Sequence, residues 1–148
     1  MKPKNMHATA IILGDRGVLI AGDSGSGKTA LALALIAEAK RGGMFARLVS
    51  DDQVFLSNHA GRLVCNAPST ISGMVEVRGL GPRPVAAEPS AVVDLLVRLA
   101  PADAAERFPE DATATLAGVP VACLDLAERN VVGATAAVAA RLSLPPFA

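Results

Sequence analysis

The sequence predicts an α/β domain built on a mixed sheet with flanking helices. Three observations carry that expectation. The N-terminal third runs strand, glycine-rich loop, helix, strand, the order of an α/β unit. The remainder is mostly short apolar runs punctuated by Gly, Pro, Asn and Asp, the pattern of strands and turns. Apolar residues make up 51% of the 148 positions, enough to bury a core and too many for a disordered chain. The length suits one domain, expected to span residues 1–148.

In order, Thr9–Leu13 and Gly17–Ala21 read as two strands around the turn residues Gly14-Asp15-Arg16-Gly17. A glycine-rich loop covers Gly22 to Lys28, and the Ala/Leu-rich stretch Thr29–Lys40 reads as a helix stopped by Arg41-Gly42-Gly43. Arg47–Ser50 is a short strand ending at Asp51-Asp52. Val54–Leu56 and Arg62–Cys65 form a hairpin across Ser57–Gly61, a helical turn follows Pro68, and Val75–Arg78 precedes Gly79 and Gly81. Val92–Leu99 reads as a strand, although Leu96 breaks the alternation. Pro101–Asp111 reads as an exposed loop, and Thr113–Leu116 and Val119–Leu124 as a second hairpin. Asn130 is a suitable N-cap for a helix over Val131–Leu142, with Val131, Thr135, Val138 and Leu142 on one face.

Charge excludes some partners. Lys plus Arg and Asp plus Glu each number 14, so the chain shows no overall electrostatic footprint for nucleic acid or an anionic membrane. No apolar run reaches the roughly 18–20 residues of a membrane span. Cys65 and Cys123 lack metal-ligand spacing and read as thiols in a reducing compartment, so a cytoplasmic protein is expected.

The stretch Gly22-Asp23-Ser24-Gly25-Ser26-Gly27-Lys28-Thr29 matches G-x-x-x-x-G-K-[ST] throughout. Glycines let successive backbone N–H groups converge on phosphate oxygens, and the helix that follows adds its positive end. Lys28 would reach the outer phosphates and Thr29 would bind Mg²⁺, so ATP or GTP is the expected ligand. Asp51 and Asp52, at the end of the next strand, suit metal binding and general-base work; taken alone, they could equally be two solvated turn residues. His7 and Glu76 are ambiguous by themselves: an exposed histidine and a charge on a strand's polar face would look the same.

Taken together, His7, the glycine loop, Asp51-Asp52 and Glu76-Val77-Arg78-Gly79-Leu80-Gly81 resemble the HPr kinase/phosphorylase family. Arg129-Asn130 resembles the pair that opens that family's closing helix. The resemblance implies a phosphate-loop core akin to phosphoenolpyruvate carboxykinase. It also implies an ATP- and Mg²⁺-dependent serine kinase for the phosphocarrier HPr, with phosphorolysis of seryl-phosphorylated HPr as the reverse reaction. Carried over, the loop amides and Lys28 hold phosphates, and Thr29, Asp52 and Glu76 surround Mg²⁺. Asp51 accepts the seryl proton with His7 beside it. Arg78 contacts phosphate or partner, and Arg107 engages the reacting phosphoryl group.

The chain departs from the family pattern at Ala30, where a glutamate is usual, and in a longer segment through Lys40–Ala46. The resemblance covers the catalytic domain alone, without the N-terminal domain of long members and with a tail shortened at Pro145-Pro146. Homo-oligomer formation is therefore left open. A small-metabolite kinase and a nucleotide-responsive binding module remain alternatives.

Overall fold

The computed structural model describes residues 3–103 and 112–147. The chain opens with strands β1 (Lys4–Met6), β2 (Ala8–Leu13) and β3 (Arg16–Ala21), then helix α1 (Lys28–Arg41) and β4 (Ala46–Ser50). A hairpin of β5 (Val54–His59) and β6 (Arg62–Asn66) follows, then a single 3₁₀ turn at Ser69–Ile71. A second hairpin, β7 (Met74–Val77) and β8 (Gly81–Pro84), leads to the long β9 (Ser90–Ala100). The strands β10 (Thr113–Leu116) and β11 (Val119–Ala127) and helix α2 (Val131–Arg141) complete it.

Among the described residues, nine strands share one mixed sheet, in the order β1-β5-β6-β9-β3-β2-β4, with β11 on β9 and β10 on β11; β7 and β8 form a separate ribbon. The centre is parallel: β9 lies between β3 and β11, running the same way as both. Their C-terminal ends therefore meet at one margin, where open α/β sheets bind ligands. Side-chain alternation sends Val18 and Ile20 of β3 and Leu95 and Val97 of β9 into a core covered by α1 and α2. Leu19 and Leu96 go into a second core on the opposite face, with Val49, Leu56 and Leu63.

That second core accounts for Leu96. A strand buried on both faces has no polar side to alternate with, so period-2 reading sees an error where there is none. A register shift between Gly17 and Val18 opposite β9 adds to the irregularity. There Asp94 turns its carboxylate to the Gly17 N–H at 2.9 Å. Gly17 is required by close approach: a Cβ there would sit 1.9 Å from Val92 O.

The strand, helix and hairpin expectations hold with small shifts in their ends. The Ser57–Gly61 connection shrinks to Ala60-Gly61, both at positive φ (55° and 84°), because β5 and β6 extend to His59 and Arg62. Polar residues do not end a strand whose other face is wet. β1 and β8 carried no signal of their own. β1 is three residues long, and β8 is interrupted by Pro82 and Pro84, tolerated in a two-stranded ribbon. Asn130 caps α2 as expected, its Oδ1 accepting from Gly133 N at 3.1 Å. α2 buries Ala134 and Val138, and Leu142 at its C-cap is buried as well. The 104–111 part of the expected Pro101–Asp111 loop, including Arg107, lies outside the described residues. No helix among the described residues is long and apolar enough to cross a membrane.

Candidate active site

The glycine loop joins β3 to α1, as the motif requires. Gly27 sits at the helix N-cap with φ 99°, and no side chain caps the helix. The first-turn N–H groups are thus left for an anion, and a glycine is needed at that backbone angle. Asp23, Ser24 and Gly25 are exposed at the crest, while Ser26 is buried beneath it. Lys28 is only 5% exposed; its ammonium donates to Gly22 O at 3.0 Å and Asp23 O at 3.1 Å.

The loop is also tied to the far end of the chain. Arg129 donates from its backbone N to Ser26 O (3.0 Å) and from Nε to Gly25 O (3.1 Å). Sequence reading placed Arg129 only at the start of the last helix. Its contact with residue 25 is a tertiary one, with no local signature.

Asp51 and Asp52 stand at the end of β4, next to the loop. Asp51 is 7% exposed and accepts three hydrogen bonds. Thr29 Oγ1 and Thr9 Oγ1 reach its Oδ1 at 2.7 and 3.1 Å, and the Glu76 backbone N–H reaches Oδ2 at 3.1 Å. The Asp52 side chain is 60% exposed. Its Oδ1 lies 2.7 Å from His7 Nε2 and 3.5 Å from Lys28 Nζ. Asp52 has φ 66°, a left-handed conformation that Asp tolerates better than most residues. That bend turns two consecutive carboxylates in different directions.

Thr9 completes the arrangement. Its fully buried hydroxyl donates to Asp51 and accepts from the Asp52 N–H at 3.1 Å. Sequence reading missed its role, since a threonine in an apolar strand is ordinary.

Two expectations are corrected. His7 is beside Asp52, not Asp51, because β1 pairs with β5 and brings the His7 ring to the exposed side of the bend. Of the two aspartates, the one that meets Thr29 is Asp51, whereas Asp52 was the one expected to share Mg²⁺ with that hydroxyl. Glu76 reaches the site through its backbone amide, while its side chain, like that of Arg78, is exposed. Among the described residues, no three His, Cys, Asp or Glu side chains gather as a metal cluster. The donor set nonetheless suits Mg²⁺, which takes one or two protein oxygens and completes its shell with phosphates and water. The Thr29 hydroxyl and the Asp51 carboxylate are hard oxygen donors at the foot of a phosphate-binding loop.

Residues 1–87 match the model of the HPr Serine kinase C-terminal domain. The chain belongs to that family. Among HPr kinase C-terminal relatives, the HPr kinase/phosphorylase of Clostridium tetani is 45% identical over 76 residues, covering 51% of this chain and 23% of that protein. The HPr kinase/phosphorylase of Mycoplasmopsis pulmonis is 38% identical over 80 residues, covering 54% and 24%. The chain thus spans about a quarter of the length of the curated relatives it matches. The structure of the Hpr(Ser) kinase/phosphatase from Coxiella burnetii superposes with a TM-score of 0.79 at 25% identity, covering 94% of this chain and 96% of that one.

Proposed function

We propose that this chain is a catalytic domain, acting over residues 1–148, that phosphorylates a seryl hydroxyl of HPr with ATP and Mg²⁺. The observation that carries the reading is the position of Asp52, between the Lys28 ammonium at 3.5 Å and the His7 ring at 2.7 Å. A carboxylate there is exposed to an incoming hydroxyl and adjacent to the residue expected to hold phosphate. The names of the matched relatives supply the acceptor, and a core of the phosphoenolpyruvate carboxykinase type is what the resemblance implies. Unpaired thiols at Cys65 and Cys123 accord with a cytoplasmic setting.

In this reading the loop amides and Lys28 bind the triphosphate tail. Thr29 and Asp51 would hold Mg²⁺, with Glu76 of β7 supplying a second carboxylate; the ion would neutralise charge on the transferred phosphoryl group. Asp52, rather than Asp51, takes the seryl proton as the oxygen–phosphorus bond forms and the bond to the ADP oxygen breaks. His7 orients the Asp52 carboxylate. In reverse, an inorganic phosphate oxygen attacks the phosphoseryl phosphorus, Asp52 returns its proton to the seryl oxygen, and pyrophosphate leaves. Arg107, which lies outside the described residues, would engage the reacting phosphoryl group, as the resemblance implies.

The test is phosphoserine formation on purified HPr with labelled ATP and Mg²⁺, and pyrophosphate release on adding excess inorganic phosphate to the phosphorylated product. Transfer should fall by about 10²–10³ in Lys28→Ala, which removes a charge from the developing phosphoryl anion. Nucleotide binding with no transfer to HPr from the wild-type chain would overturn the reading.

A further inference from the structure

Asp52 has two sides. Lys28 and the phosphate loop occupy one, and His7 the other. The His7 side opens into a cavity of about 440 Å³ lined by Asn5, His7, Asp52 and Gln53. Strand register builds this wall. Antiparallel pairing sets Asn5 opposite Phe55 and Met6 opposite Val54, so His7 and Gln53 come next along the same course. Val54 is fully buried, and alternation turns Asn5, His7 and Gln53 to the other face. Ser50 Oγ donates to Gln53 O at 2.5 Å, holding the chain as it leaves the Asp51–Asp52 bend.

Phosphoryl transfer brings the attacking and leaving oxygens roughly in line, on opposite sides of phosphorus. With the triphosphate on the Lys28 side of Asp52, the acceptor hydroxyl must arrive from the cavity. The geometry points to Asn5 and Gln53 as acceptor-binding residues, whose side-chain amides hold the main chain of a seryl-bearing polypeptide beside Asp52. This inference rests on the kinase reading and specifies how it selects its acceptor. A carboxamide offers both donors and an acceptor, the complement of a peptide group. Among the described residues, no lysine or arginine lines the cavity to select an acidic side chain or a phosphorylated metabolite. β1 is the terminal strand of the sheet, so the cavity lies at its margin, where a folded protein can approach.

Steady-state kinetics on the full chain test this, with HPr and ATP varied separately for Asn5→Ala, Gln53→Ala and the double variant. Both residues are exposed, and a thermal midpoint checks that the fold is kept. The KM for HPr should rise about three- to tenfold per substitution, the value of one uncharged hydrogen bond, and further in the double variant. The kcat at saturating HPr and the KM for ATP should stay near wild type. An HPr KM unmoved in the double variant, a loss confined to kcat, or an equal rise in the ATP KM would each overturn the inference while leaving the kinase reading in place. A wild-type chain inert toward HPr would overturn both.

Discussion

Two neighbouring aspartates in this protein have little in common beyond their side chain. Asp51 is buried and tied to three elements: β2 through Thr9, α1 through Thr29 and β7 through the Glu76 amide. Asp52 is exposed, strained at φ 66°, and faces a histidine and a lysine. A carboxylate fixed by three hydrogen bonds is suited to hold its surroundings in place, with the Mg²⁺ proposed beside it. One that keeps a side open to solvent is suited to take a proton. The contrast teaches that the role of an acid at a strand end is set by what the backbone bend leaves around it, not by its order in the motif.

The sharpest way to break this contrast is to neutralise each acid in turn. Asp52→Asn should lower kcat for transfer to HPr by about 10²–10⁴, the range of a lost general base, with little change in folding. Asp51→Asn presents an amide NH₂ or a reoriented oxygen to the Glu76 N–H and should cost about 1–3 kcal/mol of stability in urea unfolding. Since Asp51 is also proposed to hold Mg²⁺, both variants should slow transfer, and an equal loss of stability in the two would erase the distinction. His7→Ala removes a partner of a charged carboxylate and should slow transfer by about ten- to a hundredfold while leaving nucleotide affinity unchanged, as calorimetry would show.

Thr9→Val tests whether one hydroxyl holds the two acids apart. It deletes a donor to Asp51 and an acceptor for the Asp52 N–H, and should lower the urea midpoint by an amount equivalent to about 1–3 kcal/mol. A midpoint unchanged from wild type would show that the bend stands without it. The smallest effect concerns the core under the hairpin beside β1. Burial pushes the Cys65 thiol up to about 11 from an ordinary 9.0. Its contribution to stability is whole below pH 9.0 and is lost as pH rises towards about 11, because the unfolded thiol ionises first. Alkylation of Cys65 at pH 8 should accordingly be slow in the folded protein and fast in urea.

Much of this architecture was legible because it is local. The loop from Gly22 to Thr29 is defined by residue types at fixed spacing, and the helix after it by composition and a glycine stop. The two turns at Ala60-Gly61 and Ala117-Gly118 are marked by glycines at positive φ. The presence of acids at the end of β4, and of a histidine just before β2, could be read in the same way.

What the sequence by itself determined, then, is which groups this protein possesses and roughly where along the chain they stand. Their placement against one another was decided only by the tertiary structure. Whether His7 meets the first or second aspartate depends on β1 joining β5, a pairing about fifty residues away in sequence. Which acid is buried depends on a left-handed backbone angle and on a hydroxyl from another strand. Arg129 reaches the loop across 104 residues. The physical reason is common to all of them. Residue type and spacing specify short-range backbone geometry, whereas the direction of a side chain at a bend is settled by the long-range contacts that burial and hydrogen bonding make worthwhile.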